Sequence, residues 1–184
     1  VIRLLLLWKE CVMEIRDLYD VNRLPTGLTG VRGEKPPEGC YHTVIHICIF
    51  SSEGKMLIQQ RQPTKVGFPD MWDVTCGGCS VAGEMSRDTA HRELMEELGL
   101  DLSFANIRPN LTVNFDNGFD DFYLINRDID LASLTLQTEE VQAVRWASLD
   151  EIFAMIDDGS FIPFFKSFIR LLFDIRSKPD CLNI

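Results

Sequence analysis

The sequence predicts an α/β domain in which helices cover a mixed β-sheet. Segments rich in β-branched and aromatic residues alternate with segments of helical pattern, and turn residues separate them, which is typical of a layered α/β domain. Hydrophobic residues make up 46% of the 184 residues and charged residues 25%. This is the composition of a globular domain with its own hydrophobic core, so disorder and a coiled coil are excluded.

The first part of the chain is predicted to consist of strands joined by turns. The run from Tyr41 to Phe50 is rich in β-branched and aromatic residues and predicts a buried strand. A turn of Ser, Glu, Gly and Lys then leads into a returning strand. Residues 20–27 have the chemistry of a turn. We expect strands at 14–19, 41–50, 56–61 and 72–75.

The segment from Ser86 to Leu98 is the clearest helix. Ser86 is a credible N-cap, Asp88 favours the first turn, and Gly99 follows where a C′ glycine belongs. Further along the chain we expect strands at 107–115, 119–126 and 141–147, a helix at 149–156, and a last helix that starts near Pro163 and runs to about 177. Strands interrupted by helices support the α/β class.

The net charge limits the kinds of partner. Lys and Arg number 18 against 28 Asp and Glu, which gives a formal net charge of −10. Binding to a nucleic-acid backbone depends on Lys and Arg that displace counterions, so no nucleic-acid partner is expected. An acidic chain can still act on small phosphorylated molecules when a divalent cation reverses the local charge.

The first dozen residues differ from the rest. The apolar run at 2–8 is too short to span a bilayer, which needs about 20 residues, so no membrane partner is expected. A Lys-Glu pair just upstream of Met13 can be encoded as AAG-GAG, a bacterial ribosome-binding sequence. We therefore expect residues 1–12 to be a translated leader and residues 13–184 to form a single domain. A genuine amphipathic arm is the alternative.

Cysteine usage indicates a reducing compartment. Six cysteines fall at irregular spacings, and no secretory signal is recognisable, so free thiols in the cytoplasm are expected. Cys76 and Cys79 form a CxxC pair, but a structural zinc site would need two more ligands at similar spacing.

Three glutamates share one face of the clearest predicted helix. At about 100° per residue, Glu93, Glu96 and Glu97 cover a face about 100° wide. Taken alone, this cluster is also typical of a solvated acidic surface. Converging carboxylates nevertheless favour a cation, and oxygen ligands suit Mg²⁺ or Mn²⁺ rather than zinc. Gly77 and Gly78 allow the backbone to come close and offer a carbonyl oxygen.

The glutamates belong to a longer pattern. It reads Gly78, five residues, Glu84, seven residues, Arg92-Glu93-Leu94, one residue, Glu96-Glu97, one residue, Gly99-Leu100. The pattern resembles the Nudix box at every specified position, and chance would produce it in fewer than about one chain per million. The resemblance extends from about residue 14 to residue 176. It implies a Nudix-type α/β/α sandwich with a mixed β-sheet.

The resemblance also implies the catalytic residues. Glu93, Glu96 and Glu97 would be metal ligands, and one of them, frequently the one at position 93, would orient the attacking water. Arg92 would hold a glutamate of the box in place.

Further residues would support this site by the same resemblance. The carbonyl of Gly77 or Gly78 would complete the metal shell, and Glu84 and Gly99 would support the box. Glu140, just ahead of the predicted strand at 141, matches the place of an additional carboxylate ligand.

Two cations outside the box are candidate contacts for the substrate phosphates. These are Arg61 and Lys65, although each is equally typical of an ordinary surface cation.

Segments outside the box resemble the isopentenyl-diphosphate isomerases and their hydrolase relatives. These segments are 24–27, 41–42 and 60–72. An isomerase needs an active-site cysteine and histidine ligands for its metal. Gly77 occupies the cysteine position, Cys79 occupies one histidine position, and Lys35 lies near another, so only His42 matches. The intact Arg-Glu and Glu-Glu core also favours a hydrolase.

The sequence therefore predicts a cytoplasmic Nudix hydrolase that depends on Mg²⁺ or Mn²⁺. Metal-activated water would cleave the diphosphate linkage of a small nucleoside-diphosphate-like or other organic diphosphate. An isopentenyl-diphosphate isomerase and a non-catalytic Nudix domain that binds a nucleotide-like ligand stay open as alternatives. A homodimer is compatible with the sequence.

Overall fold

The computed structural model describes residues 14–177. Its strands and helices are β1 (Ile15–Tyr19), β2 (Pro25–Val31), β3 (His42–Phe50), β4 (Met56–Arg61), β5 (Trp72–Asp73), β6 (Cys76–Cys79), α1 (Ser86–Leu98), β7 (Leu111–Phe115), β8 (Gly118–Asn126), β9 (Val141–Ala147), α2 (Leu149–Asp158) and α3 (Lys166–Ile175). The leader predicted at 1–12 lies outside the described residues. Within the described range, every helix is too short or too polar to cross a lipid bilayer.

β3 is the centre of the main sheet. It runs parallel to β8 over its whole length, from His42 opposite Gly118 to Phe50 opposite Asn126. It pairs antiparallel with β6 and with the start of β4. β4 pairs in turn with β5 and β9, and β8 pairs with β7. Parallel and antiparallel pairs in one sheet confirm the predicted mixed sheet.

Helices cover both faces of this sheet. α1 packs on the face that carries the fully buried Ile45, Ile47 and Ile49. α2 and α3 pack on the opposite face, where Cys48 and Phe50 join their core cluster. Successive side chains of a strand point to opposite faces, so burial on both sides explains the uninterrupted apolar residues at 47–50 of β3. The predicted α/β/α sandwich is confirmed.

A separate hairpin of β1 and β2 lies beside the main sheet. The predicted strand at 14–19 is confirmed, whereas the turn predicted at 20–27 is too long, because β2 begins at Pro25. Most of β2 is exposed, so it lacks the buried apolar alternation by which a strand is recognised in a sequence. Backbone hydrogen bonds between Tyr19 and Tyr41 attach the hairpin to the start of β3.

The ends of α1 agree only in part with the prediction. Gly99 ends the helix in the left-handed conformation, with φ of 65°, as predicted. Met85 rather than Ser86 occupies the N-cap position, and its N–H donates to the Asp88 carboxylate at 3.1 Å. The Ser86 hydroxyl instead lies 2.8 Å from the hydroxyl of Tyr123.

The last helix begins later than predicted. α3 starts at Lys166 rather than near Pro163. The cause is a tight turn in which the Phe164 N–H donates to the Ile162 carbonyl at 2.7 Å. Helical hydrogen bonds start only from the carbonyl of Phe165.

Candidate active site

The glycine-rich segment ahead of α1 is itself a strand. As β6, it pairs with β3 and places Gly77 opposite His46 and Gly78 opposite Ile45. A Cβ added at Gly78 would lie 2.1 Å from Glu93 Oε1, and a Cβ added at Gly77 would lie 2.8 Å from the His46 ring. Both positions therefore require glycine, because the side chains of Glu93 and His46 lie against the backbone of β6 from opposite faces.

Arg92 joins the loop before α1 to the glutamates of the helix. Its Nε and Nη2 donate to the two carboxylate oxygens of Glu84 at 2.7 and 3.0 Å. Its Nη1 donates to Glu93 at 2.9 Å and to Glu96 at 3.1 Å. The hydrogen bonds to Glu84 raise the pKa of the Arg92 guanidinium, so it remains charged. The structure thus brings these four predicted residues together.

Glu97 is held from the side of the sheet. Gln59 on β4 donates from Nε2 to Glu97 Oε2 at 3.0 Å. Gln59 is buried, with 2% of its surface exposed. It is not among the residues predicted from the sequence. The available signal is an amide directly after the apolar residues 56–58 of β4, where a buried polar group needs a partner.

The predicted residues outside the box are less closely grouped. Glu140, in the turn before β9, lies near enough to Glu97 for its charge to raise the pKa of that carboxyl. Its own carboxylate is paired with Lys65. Arg61 Nη1 lies 3.7 Å from the buried Asp73 carboxylate. Both predicted phosphate contacts therefore have protein partners here.

Two of the carboxylates are hard to ionise. Burial raises the pKa of Glu93 to about 7, although the charge of Arg92 opposes this shift. Burial also raises the pKa of Glu97 to about 7, and the neighbouring Glu93 and Glu140 carboxylates add to the effect. Glu96 differs from them because about half of its side chain is exposed (52%). A nearby cation would favour the ionised form of the two buried groups.

The donor set fits a hard divalent cation, since every side chain in it offers carboxylate oxygens. Within residues 14–177, no three His, Cys, Asp or Glu side chains are arranged to hold a metal ion directly. The reason is that Glu93 and Glu96 turn toward Arg92 while Glu97 turns toward Gln59. Cation binding therefore requires these carboxylates to exchange partners.

The chain is similar to known proteins over most of its length. A family model described as the NUDIX domain matches residues 41–167, which is more than half of the chain. The chain belongs to the Nudix family. An uncharacterized Nudix hydrolase from Listeria innocua is 43% identical over 165 residues, which cover 90% of this chain and 96% of that protein.

Two further similarities concern the fold and the branch of the family. A crystal structure of a Deinococcus radiodurans protein matches with a TM-score of 0.69 at 21% identity, covering 86% of this chain and 97% of the other, and supports the fold. An isopentenyl-diphosphate Delta-isomerase from Pectobacterium atrosepticum is 30% identical over 145 residues, which cover 73% of this chain and 76% of that enzyme. The protein is a Nudix hydrolase, a family that hydrolyses nucleoside-diphosphate-linked moieties.

The contact between β6 and α1 gives a first test of this site. We expect Gly78→Ala to push the Glu93 carboxylate from its position and to lower kcat of this Nudix hydrolase by about 10- to 100-fold. Gly67→Ala is the matched control, because a Cβ at Gly67 meets no atom within 4 Å. Steady-state kinetics of both variants would measure the effect. Equal kcat values for the two variants would contradict it.

Proposed function

We propose that this Nudix hydrolase cleaves the diphosphate linkage of a small organic diphosphate, of the nucleoside-diphosphate type, with Mg²⁺ or Mn²⁺ at Glu93, Glu96 and Glu97. The buried Glu93 and Glu97 on one face of α1 carry the proposal, because buried carboxylates need a cation or a proton. When bound, the divalent cation supplies Lewis-acid stabilisation of the phosphoryl oxygens and lowers the pKa of a water molecule.

The residues of the box have separate tasks in this proposal. Glu93, Glu96 and Glu97 hold the cation, and Glu93 also orients the attacking water. Gln59 keeps the Glu97 carboxylate in place through its 3.0 Å hydrogen bond. Arg92 stays charged and fixes the loop before α1.

The remaining predicted residues complete the proposed site. A backbone carbonyl of Gly77 or Gly78 and the carboxylate of Glu140 add oxygen ligands. Glu140 must then leave Lys65, its present partner. Lys65 is thereby released to contact a substrate phosphate, together with Arg61.

The proposed setting is the cytoplasm, with small molecules as partners. In the part of the chain that the structure describes, Cys40, Cys48, Cys76 and Cys79 are free thiols, which is typical of a reducing compartment. The homodimer stays a prediction from the sequence.

An isopentenyl-diphosphate isomerase is the second candidate, because an isomerase is among the relatives at 30% identity. The local structure around Gly77 disfavours an isomerase. Gly77 lacks a thiol, and even a Cβ there would lie 2.8 Å from the ring of His46. The adjacent Cys76 is fully buried, and burial raises the pKa of its thiol well above the usual value.

A substrate panel tests the proposed function. We expect phosphate or monophosphate release from at least one member of a set of nucleoside di- and triphosphates, nucleotide sugars, dinucleotides and prenyl diphosphates. The release should need Mg²⁺ or Mn²⁺ and should stop in EDTA. Isomerisation of a prenyl diphosphate without hydrolysis would favour the second candidate. Binding of a nucleotide without turnover would indicate the non-catalytic alternative.

A further inference from the structure

Gly77 directs its backbone carbonyl away from β3, toward the edge of β6 that pairs with no strand in the described part of the chain. In an antiparallel pair, residues whose N–H and C=O point to the partner strand alternate with residues whose groups point away from it. The Ser80 N–H donates to the Thr43 carbonyl at 3.0 Å. Gly78, two residues earlier, therefore also faces β3, whereas Gly77 and Cys79 point their backbone groups away from it.

This free edge of β6 lies beside the carboxylates of α1. The Cys79 carbonyl accepts a hydrogen bond from Arg92 Nη2 at 3.2 Å, and Nη1 of the same arginine donates to Glu93 and Glu96. Carbonyls two residues apart in a strand point the same way, about 7 Å from each other. Of the two glycines that the proposed function offers as a backbone ligand, Gly77 is therefore the one whose carbonyl points to the glutamates' side.

The ring of His46 lies against the Gly77 backbone from the face of the sheet that α2 and α3 cover. A Cβ added at Gly77 would lie 2.8 Å from Cδ2 and 3.1 Å from Nε2 of this ring. The two residues are opposite each other and form a pair without mutual hydrogen bonds, in which the strands approach most closely. Because glycine has no side chain, the imidazole contacts the peptide itself.

Three neighbours fix the position of the His46 ring. Its Nδ1 lies 2.7 Å from Asp120 Oδ1, and Nδ1 donates here because an ionised carboxylate only accepts. The ring stacks on Phe122, with centroids 4.9 Å apart and an angle of 12° between the planes. The ring of Phe164 meets it edge-on at 6.2 Å and 87°. The imidazole is thus held firmly where it touches β6.

The strand that His46 supports is weak by itself. β6 has only four residues, two of which are consecutive glycines. Glycine in a strand has high conformational freedom and no side chain to pack, so it weakens the strand. A carbonyl on the unpaired edge of such a strand needs a neighbouring group to keep its direction.

We propose that His46, anchored by Asp120, is a positioning residue that holds the Gly77 carbonyl in place for the divalent cation. His46 touches neither the cation nor the substrate and acts through the backbone of β6. The inference rests on the proposed function, because it concerns a ligand of the same cation.

The affinity for Mn²⁺ is the first test, measured by a titration in which electron paramagnetic resonance reports the free ion. We expect His46→Ala to weaken Mn²⁺ binding at least about tenfold, as is usual when a group that orients a metal ligand is removed. Phe168→Ala is the matched control, because the Phe168 ring packs on Phe122 at 5.0 Å but belongs to α3. It should keep wild-type affinity. Unchanged affinity in His46→Ala, or an equal loss in both variants, would overturn the proposal.

A double variant tests whether His46 acts through Gly77. Gly77→Ala should also weaken Mn²⁺ binding, because its Cβ and the imidazole cannot occupy the same space. In Gly77→Ala/His46→Ala the new methyl group enters the space that the ring leaves. We therefore expect the double variant to bind Mn²⁺ more tightly than Gly77→Ala does. Losses that simply add in the double variant would overturn the proposal.

A pair of substitutions at Asp120 keeps the proposal testable if His46→Ala does not fold. Asp120→Ala and Asp120→Asn remove the same negative charge, but asparagine keeps an oxygen that accepts from the imidazole. We expect Asp120→Ala to bind Mn²⁺ about two- to tenfold more weakly than Asp120→Asn, which is the worth of one hydrogen bond. Equal affinities of the two variants would overturn the proposal.

Failure of the proposed function would look different. A wild type that binds Mn²⁺ but hydrolyses no diphosphate would contradict the proposed reaction, and weaker binding by His46→Ala would still support the positioning role. A wild type that binds Mn²⁺ and hydrolyses a diphosphate, with unchanged Mn²⁺ affinity in His46→Ala, would overturn the positioning role alone. A wild type that binds no Mn²⁺ would overturn both.

Discussion

Replacing Glu97 with glutamine is expected to lower kcat at least about a hundredfold, because even residues that only support a metal ligand are worth about 10- to 100-fold. Glutamine has the shape of glutamate but cannot offer two charged oxygens to a cation. Gln59 can still donate to the remaining carbonyl oxygen, so the side chain should keep its place. The loss therefore reports the chemistry of the carboxylate rather than a change of fold.

The same substitution should not weaken the fold. Burial raises the pKa of Glu97 to about 7, so its ionised form is unfavourable in the metal-free protein above that pH. A neutral amide removes this penalty, and the free energy of unfolding at about pH 8 should stay level or rise. Urea unfolding in EDTA measures it, and steady-state kinetics with Mg²⁺ measure kcat.

An exposed glutamate close to the site provides the matched control. Glu139 lies next to Glu140 in the sequence and is exposed, so Glu139→Gln removes one negative charge from the same region without touching the box. It should retain wild-type kcat. Wild-type activity in Glu97→Gln would remove this carboxylate from the proposed site, and a matching loss in Glu139→Gln would point to general electrostatics instead.

Local patterns account for the parts of the fold that the sequence predicts well. α1 is recognisable because its apolar side and its acidic side lie within 13 residues and its C-cap Gly99 follows directly. β3 is recognisable because burial on both faces leaves it rich in β-branched and apolar residues, without interruption at 47–50. The ligand candidates on α1 share a face for the same reason, since helical periodicity alone sets their relative positions.

Contacts between distant segments account for what the sequence does not predict. Gln59 meets Glu97 across 38 residues, and Arg16 reaches the Glu34 carbonyl across 18 residues. No local pattern marks such pairs. Arg16 lies on the same buried face of β1 as Leu18, whereas the alternation of a sequence would place a charged residue on the solvent face. The sequence does not predict β2 because most of this strand is exposed, so it lacks the alternation of apolar and polar residues that marks a half-buried strand.

The metal-free protein is expected to lose stability as the pH rises from about 4.5 to about 7. Burial raises the pKa of Glu93 and of Glu97 to about 7 in the folded protein, against an ordinary value of 4.5 for a glutamate. Between these values the folded state holds protons that the unfolded state has released, so the free energy of unfolding falls with increasing pH. Above about pH 7 both groups are ionised and the loss, a few kcal/mol, is complete.

Mg²⁺ should reverse this loss, because it binds only the ionised carboxylates. We expect saturating Mg²⁺ to raise the midpoint of urea unfolding clearly at about pH 8 and hardly at all at about pH 5. The comparison with EDTA at each pH is the measurement. Equal stabilisation at both pH values would place the cation away from the buried glutamates.

The double variant Glu93→Gln/Glu97→Gln isolates the two groups. In this variant the free energy of unfolding should no longer fall above about pH 4.5, and Mg²⁺ should no longer raise the unfolding midpoint. It should leave the loss of stability at acid pH unchanged, because that loss comes from groups whose pKa is lowered in the folded protein. Although burial raises it, the pKa of Glu84 is lowered overall by hydrogen bonds from Arg92 and Thr89, so the stability that Glu84 contributes is lost as the pH falls. A double variant that still loses stability between about pH 4.5 and 7 would show that other groups carry the transition.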